Sequence, residues 1–124
     1  MERERIRVLI EQAKQAWLAA DGEAFARLFA EDGLFIVPGQ RWQGREAIRQ
    51  AVEQFGENYS HIKIDLHQIA IDGERAVIEW TWEDFNKSTT KRTRAEDAIV
   101  VDFSNGAIRR WREYIDAETP KQPD

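Results

Sequence analysis

The 124-residue sequence predicts an α+β fold: three N-terminal helices packed on an antiparallel four-strand meander, with one short extra strand. Two observations carry this prediction. Apolar residues recur at helical spacing as far as Phe55, then alternate with polar ones beyond Gly56. The alternating half is cut by Asp72-Gly73 and Asn105-Gly106, and Asx-Gly is the strongest short hairpin signal a sequence carries.

Ile6, Leu9, Ile10, Ala13, Ala16, Trp17 and Ala20 mark an amphipathic first helix. Asp21-Gly22 breaks it, and Asp21 caps a short second helix whose inner face carries Phe25, Leu28 and Phe29. Glu31-Asp32-Gly33 turns into the apolar run Leu34 to Val37, the short extra strand, which Pro38-Gly39 stops. Gly39 and Gly44 then bracket a polar loop with Trp42 at its centre, read as a movable mouth to the interior. A third helix follows Gly44, with Ala47, Ile48, Ala51, Val52 and Phe55 on one side. The meander spans roughly 61–71, 75–86, 91–104 and 107–116, with Lys87-Ser88-Thr89-Thr90 as its middle connection. There is no repeat, linker or second domain, so residues 1–118 read as a single domain and 119–124, with two prolines, as a flexible tail.

Composition narrows the function classes. A net charge of −5 argues against nucleic acid, whose phosphates demand a basic surface. The basic runs, such as Arg109-Arg110-Trp111-Arg112, are interleaved with acids or large apolar groups and read as a solvated face. With no cysteine there is neither disulfide nor thiol nucleophile, and a cytoplasmic home is the expectation. The opening Met-Glu-Arg-Glu-Arg has no apolar signal region, and no stretch has the length to span a bilayer, so no membrane is expected. No G-x-S-x-G, P-loop or G-x-G-x-x-G occurs, which leaves serine-nucleophile and nucleotide chemistry without support; no cofactor is expected.

Strand parity sorts the side chains by face. Ile99, Val101 and Phe103 set the inner face of the third meander strand, and Asp97 falls on it too. Ile78, Trp80 and Trp82 set that of the second, together with Asp84. The outer face should pair His67 with Glu79 and Lys63 with Glu83. Ile108 and Trp111 stand three apart, so a bulge near Arg109-Arg110 is needed to keep both inside. Beyond it Trp111, Glu113 and Ile115 face inward, with Ile99 opposite Glu113 and Asp97 opposite Ile115. Val77, Ala98, Val100 and Tyr114 form an outward apolar strip, the surface on which a homodimer is expected.

Three helices, a short strand and a meander ending in "GAIRRWREYID" resemble the nuclear transport factor 2-like superfamily. The resemblance covers nearly the whole chain, including "LFAEDGLFIVPG" and "WQGREAIRQAV". It implies a cone-shaped, curved sheet round the helices and a pocket of the SnoaL-like type, in a group that includes polyketide cyclases, ketosteroid isomerases, limonene epoxide hydrolases and transport factors. Such a fold licenses no single reaction. Ketosteroid isomerases place a general-base aspartate just before the proline of "FIVPG", where this chain has Val37, and an oxyanion tyrosine near Ala13. Limonene epoxide hydrolases resemble "WREYID", with Glu113 in the place of their water-activating aspartate. Their partnering arginine and aspartate align with Trp80 and Trp82, so the epoxide-polarising pair is missing.

Two readings stay open for the aromatics. Trp80, Trp82 and Trp111 form either a ligand cage, with Trp17, Trp42 and Phe35 nearer its mouth, or simply the core. Asp84, Asp97 and Glu113 point inward, where an unpaired charge is costly. Asp84 reads as paired with Arg41, Arg45 or Arg94, or as placed at a solvated rim. Asp97 and Glu113 are the candidate catalytic acids, since inward acids in a cleft commonly mark sites, and Glu113 is expected to have a raised pKa. Three carboxylates also fit a hard cation, but no loop has the ligand spacing for one, and no metal is expected. His61 and His67 match no metal pattern and read as surface histidines. The function this supports is a pocket protein that binds or modestly transforms a small apolar, cyclic ligand. The competing reading is a non-catalytic dimeric interaction module that uses the outer sheet face.

Overall fold

The computed structural model describes residues 1–118; the predicted tail, 119–124, lies outside the described residues. Helix α1 (Arg3–Leu18) buries Ile6, Leu9, Ile10, Ala13, Ala16 and Trp17, the stripe that the spacing predicts. The Asp21 carboxylate accepts a hydrogen bond from the Ala24 amide at 3.0 Å and so caps α2 (Gly22–Arg27). A Cβ on Gly22 would stand 2.4 Å from the Arg49 carbonyl oxygen, so only glycine lets α2 close on α3 (Arg45–Asn58). The strands are β1 (Phe29–Val37), β2 (Gln40–Gln43) and β3 (Tyr59–Asp72), then β4 (Arg75–Asn86), β5 (Lys91–Ser104) and β6 (Ala107–Asp116).

These strands form one open sheet in the order β2-β1-β6-β5-β4-β3. The four-strand meander, β3 to β6, is present as predicted, but the sheet has six strands, and two features account for the difference. First, Phe29 does not lie on the second helix; it opens a nine-residue strand. That strand runs parallel to β6, with Phe29 opposite Ile108 and Phe35 opposite Trp111. Second, Gln40–Gln43 is a strand and not a loop. Pro38-Gly39 makes a tight turn that sets Val37 opposite Gln40, with Gly39 at a φ of +80°.

The bulge predicted in β6 is there. Register passes from Asp102–Arg110 to Phe103–Ile108, which leaves Arg109 as the extra residue and buries both Ile108 and Trp111 completely. A second bulge, at His67, corrects the expected His67–Glu79 pair, because Gln68 takes the place opposite Glu79. His67 Nε2 instead donates to Thr81 Oγ1 at 2.6 Å, and that hydroxyl donates to Glu96 at 2.9 Å. Lys63 does stand opposite Glu83. The bulges bend the sheet, and its inner face receives the helices. Trp80, Trp111, Phe25 and Phe29 are among the largest fully buried side chains. Burying one phenylalanine in this way stabilises the fold by about 1.5–3 kcal/mol.

Candidate functional site

The inner face changes character along its strands. Toward one end, Ile78, Trp80, Ile99, Val101, Ile108 and Trp111 close the core completely. Toward the other, the sheet and helices diverge round a cavity of about 520 Å³. Phe35 of β1 and Trp42 of β2 wall it from one side, their rings stacked 5.0 Å apart. Phe55 of α3 and Tyr59 of β3, stacked at 4.3 Å, wall it from another. Trp17 makes edge contacts with Phe25, Phe55 and Trp82 and closes the remaining apolar side.

The polar side of the wall is Asp84, Asp97 and Glu113, which are thus brought to one cavity. Each carboxylate accepts a hydrogen bond from a tryptophan indole. Trp82 Nε1 donates to Asp84 at 2.8 Å, Trp111 Nε1 to Glu113 at 2.8 Å, and Trp80 Nε1 to Asp97 at 3.0 Å. The first two pairs are two residues apart on one strand, the spacing that puts side chains side by side on one face. The third is a cross-strand pair, Trp80 standing opposite Asp97. Trp80 and Trp111 therefore belong behind the wall and do not line the cavity; they act through their N–H groups.

Asp84 departs from expectation. It is buried and meets no arginine: Thr93, directly opposite on β5, donates to its second oxygen. Among the described residues Asp97 and Glu113 have no cationic partner either. Burial pushes the Asp97 carboxyl up to about 6, helped by the nearby Glu96 charge and opposed by the Trp80 hydrogen bond. Burial pushes Glu113 higher, to about 8, and the Asp97 charge adds to it against the Trp111 hydrogen bond. Glu113 is partly covered, and it borders both this cavity and a shallower pocket beside Pro38 and Arg112. Both carboxyls, raised by burial, stand on one wall of the cavity.

Among the described residues, two buried side-chain polar atoms have no hydrogen-bond partner, Trp17 Nε1 and Asp97 Oδ1, and both residues line the cavity. Among the described residues no group of three His, Cys, Asp or Glu side chains is arranged to hold a metal ion. Sequence reasoning missed Phe55, Tyr59 and Thr93 as wall residues. Phe55 was legible, since Ala51 and Phe55 continue one helical face to the end of α3. Thr93 was legible by counting register from the 87–90 turn.

The sequence matches the SnoaL-like domain family over residues 10–111. This chain belongs to that family. Solved structures share its fold at low identity. One is a protein of ketosteroid isomerase-like fold from Catenulispora acidiphila, in complex with trimethylamine, at 18% identity and a TM-score of 0.81, covering 86% of this chain and 83% of that one. Another is an LEH-like epoxide hydrolase of M. tuberculosis, at 21% identity and a TM-score of 0.77, covering 91% of this chain and 83% of that one. A third, nuclear transport factor 2-like protein comes from Burkholderia xenovorans, at 19% identity and a TM-score of 0.77, covering 94% and 93%. No curated protein matches this sequence. At such identities the likeness is one of fold. This SnoaL-like chain has apolar Val37 on the cavity wall before its proline and buried Ala13 on α1, so neither position supplies an acid, a base or a donor. No helix among the described residues is long and apolar enough to cross a membrane.

Proposed function

We propose that this SnoaL-like protein binds a small, largely apolar and cyclic ligand in the aromatic cavity and transforms it modestly by acid–base chemistry, with Glu113 and Asp97 as the proton-exchanging pair. The observation that carries the reading is the pair itself. Two carboxyls without a counter-cation among the described residues share the wall of an otherwise largely aromatic cavity, and burial raises both above the usual carboxylate range. Keeping such a pair desolvated costs stability, and acids of this kind suit proton transfer near pH 7. Tryptophan fluorescence against a panel of cyclic hydrophobes tests the binding, because Trp17, Trp42 and Trp82 line the cavity. Saturable quenching supports it, and a flat response across the panel overturns it. Once a turned-over ligand is found, Glu113→Gln should keep its binding and lose most of the turnover.

The outer face favours a second reading, a homodimeric interaction surface. Val77 is 38% exposed and Tyr114 49%, with Val77 opposite Val100 and Ala98 opposite Tyr114 across the meander. An exposed apolar strip on a sheet face is an association surface in many proteins. Sedimentation at micromolar concentration should show a dimer that Val100→Arg dissociates; a monomer, or a dimer insensitive to the change, rules it out. The two readings are compatible, since they use opposite faces of one sheet.

A further inference from the structure

The hydrogen bonds of the three acids leave two oxygens without a donor among the described residues, Glu113 Oε1 and Asp97 Oδ1, and of these only the Asp97 oxygen is fully buried. Asp84 has both oxygens engaged, by Trp82 and Thr93. Glu113 accepts from Trp111 through Oε2. Asp97 accepts from Trp80 through Oδ2, but its Oδ1 is buried in the wall with no donor, in a residue only 6% exposed. A buried acceptor left unmade costs about 1–3 kcal/mol, and more when charged. We infer that the ligand carries a protonated amine, whose N–H⁺ group donates to Asp97 Oδ1 while its apolar body lies among the rings. The inference rests on the pocket reading above and narrows it to one class of ligand.

Three features of the wall select a cation over other donors. None of its carboxylates has an ion-pair partner among the described residues, so a bound cation would supply the missing countercharge. The charged and titratable groups facing the cavity are Tyr59 from β3, Asp84 from β4, Arg94 and Asp97 from β5 and Glu113 from β6, while α1, α3, β1 and β2 contribute none. Arg94 is engaged by Glu96 at 2.9 Å. The rings of Trp17, Trp42, Phe55, Tyr59 and Trp82 line the same space, and an aromatic ring face that is reached by an ammonium group attracts it, most strongly when desolvated. An anion would meet the acids with no free cation among the described lining residues to receive it. The other unpartnered atom, Trp17 Nε1, is a donor, and an ether or carbonyl oxygen on the same ligand would satisfy it.

The test compares three probes of similar shape by calorimetry on the full chain: N,N-dimethylcyclohexylamine, 1-cyclohexylethanol and cyclohexanecarboxylate. The amine should bind at least about tenfold more tightly than the alcohol near pH 8.5, and the carboxylate worst, since charge-assisted bonds exceed neutral ones. Amine affinity should rise from pH 5 to pH 8.5 as the two acids ionise, while alcohol affinity stays level. Asp97→Asn should weaken the amine about tenfold and leave the alcohol within about twofold, so that the alcohol reports on the fold of the variant. Should Asp97→Asn not fold, Glu113→Gln serves in its place and should flatten the upper part of the pH dependence. Alcohol binding as tight as the amine, the carboxylate binding best, or an amine affinity indifferent to Asp97→Asn overturns the inference and leaves the pocket reading standing. If no probe binds and the wider cyclic panel gives a flat response, both fall together.

Discussion

Strand β5 carries two buried aspartates five residues apart, on opposite faces, and they have opposite fates. Asp102 faces outward, is 6% exposed, and is ringed by Arg75 at 2.7 Å, Arg110 at 3.6 Å and Arg109 at 3.8 Å. The Arg75 hydrogen bond holds its carboxyl below the usual carboxylate range. Asp97 faces inward, equally covered, and among the described residues has one indole donor and no cation; its carboxyl is pushed up to about 6. Burial alone therefore does not decide what an acid is for. The countercharge does: with arginines an aspartate becomes a fastening of the sheet, and without them it becomes a group whose proton can be exchanged.

The largest expected effect that separates the two faces is on stability against pH. The folded pKa of Glu113, about 8, lies above its unfolded value, so the folded state holds the extra proton between them. Stability should fall as pH rises from about 4.3 toward 8, then level off. Glu113→Gln removes that loss. In urea titrations the variant should match the parent near pH 4 and exceed it near pH 9 by on the order of 5 kcal/mol. A variant less stable than the parent at pH 7 would mean that Glu113 is a structural ion-pair member after all.

Asp102→Asn should do the reverse. A depressed folded pKa gives stability that is present above the unfolded value of about 3.9 and lost as pH falls through the folded one. The loss at pH 7 should be about 1–2 kcal/mol, moderated because the arginines reach Asp102 from solvent. It should vanish in strong acid. If both substitutions shift stability in the same direction at pH 7, the contrast between the faces fails.

Trp80→Phe sharpens the comparison from inside. Removing the indole donor leaves the Asp97 carboxylate without a hydrogen bond, and should cost about 1–2 kcal/mol at pH 8 and less near pH 5, where Asp97 is protonated. A loss independent of pH would show that the ring contributes packing alone. The smallest effect is a shift of midpoint and not of plateau. In Asp97→Asn, Glu113 no longer ionises beside a charge, so its titration should move below about 8, read by carboxyl resonances in NMR. An unmoved midpoint would mean that the two acids are not coupled.

Much of this was legible in the chain. Period and parity located β4, β5 and β6, the inner acids, the bulge at Arg109 and the facing of Glu113 by Ile99, because each rests on contacts between residues close in sequence or counted across one turn. The Trp-x-acid pairs, Trp82 with Asp84 and Trp111 with Glu113, were legible as well, since alternation makes such residues neighbours. Tertiary structure alone decided three things. It placed β1 parallel beside β6, a pairing that no local signal encodes because its partner lies some 75 residues away. It also drew Arg75 and Arg109 round Asp102 but no arginine to Asp84, Asp97 or Glu113. Lastly, it filled one end of the inner face with Trp80 and Trp111 while leaving the other open, because where helices and a bent sheet part company depends on their summed volumes and not on any single residue.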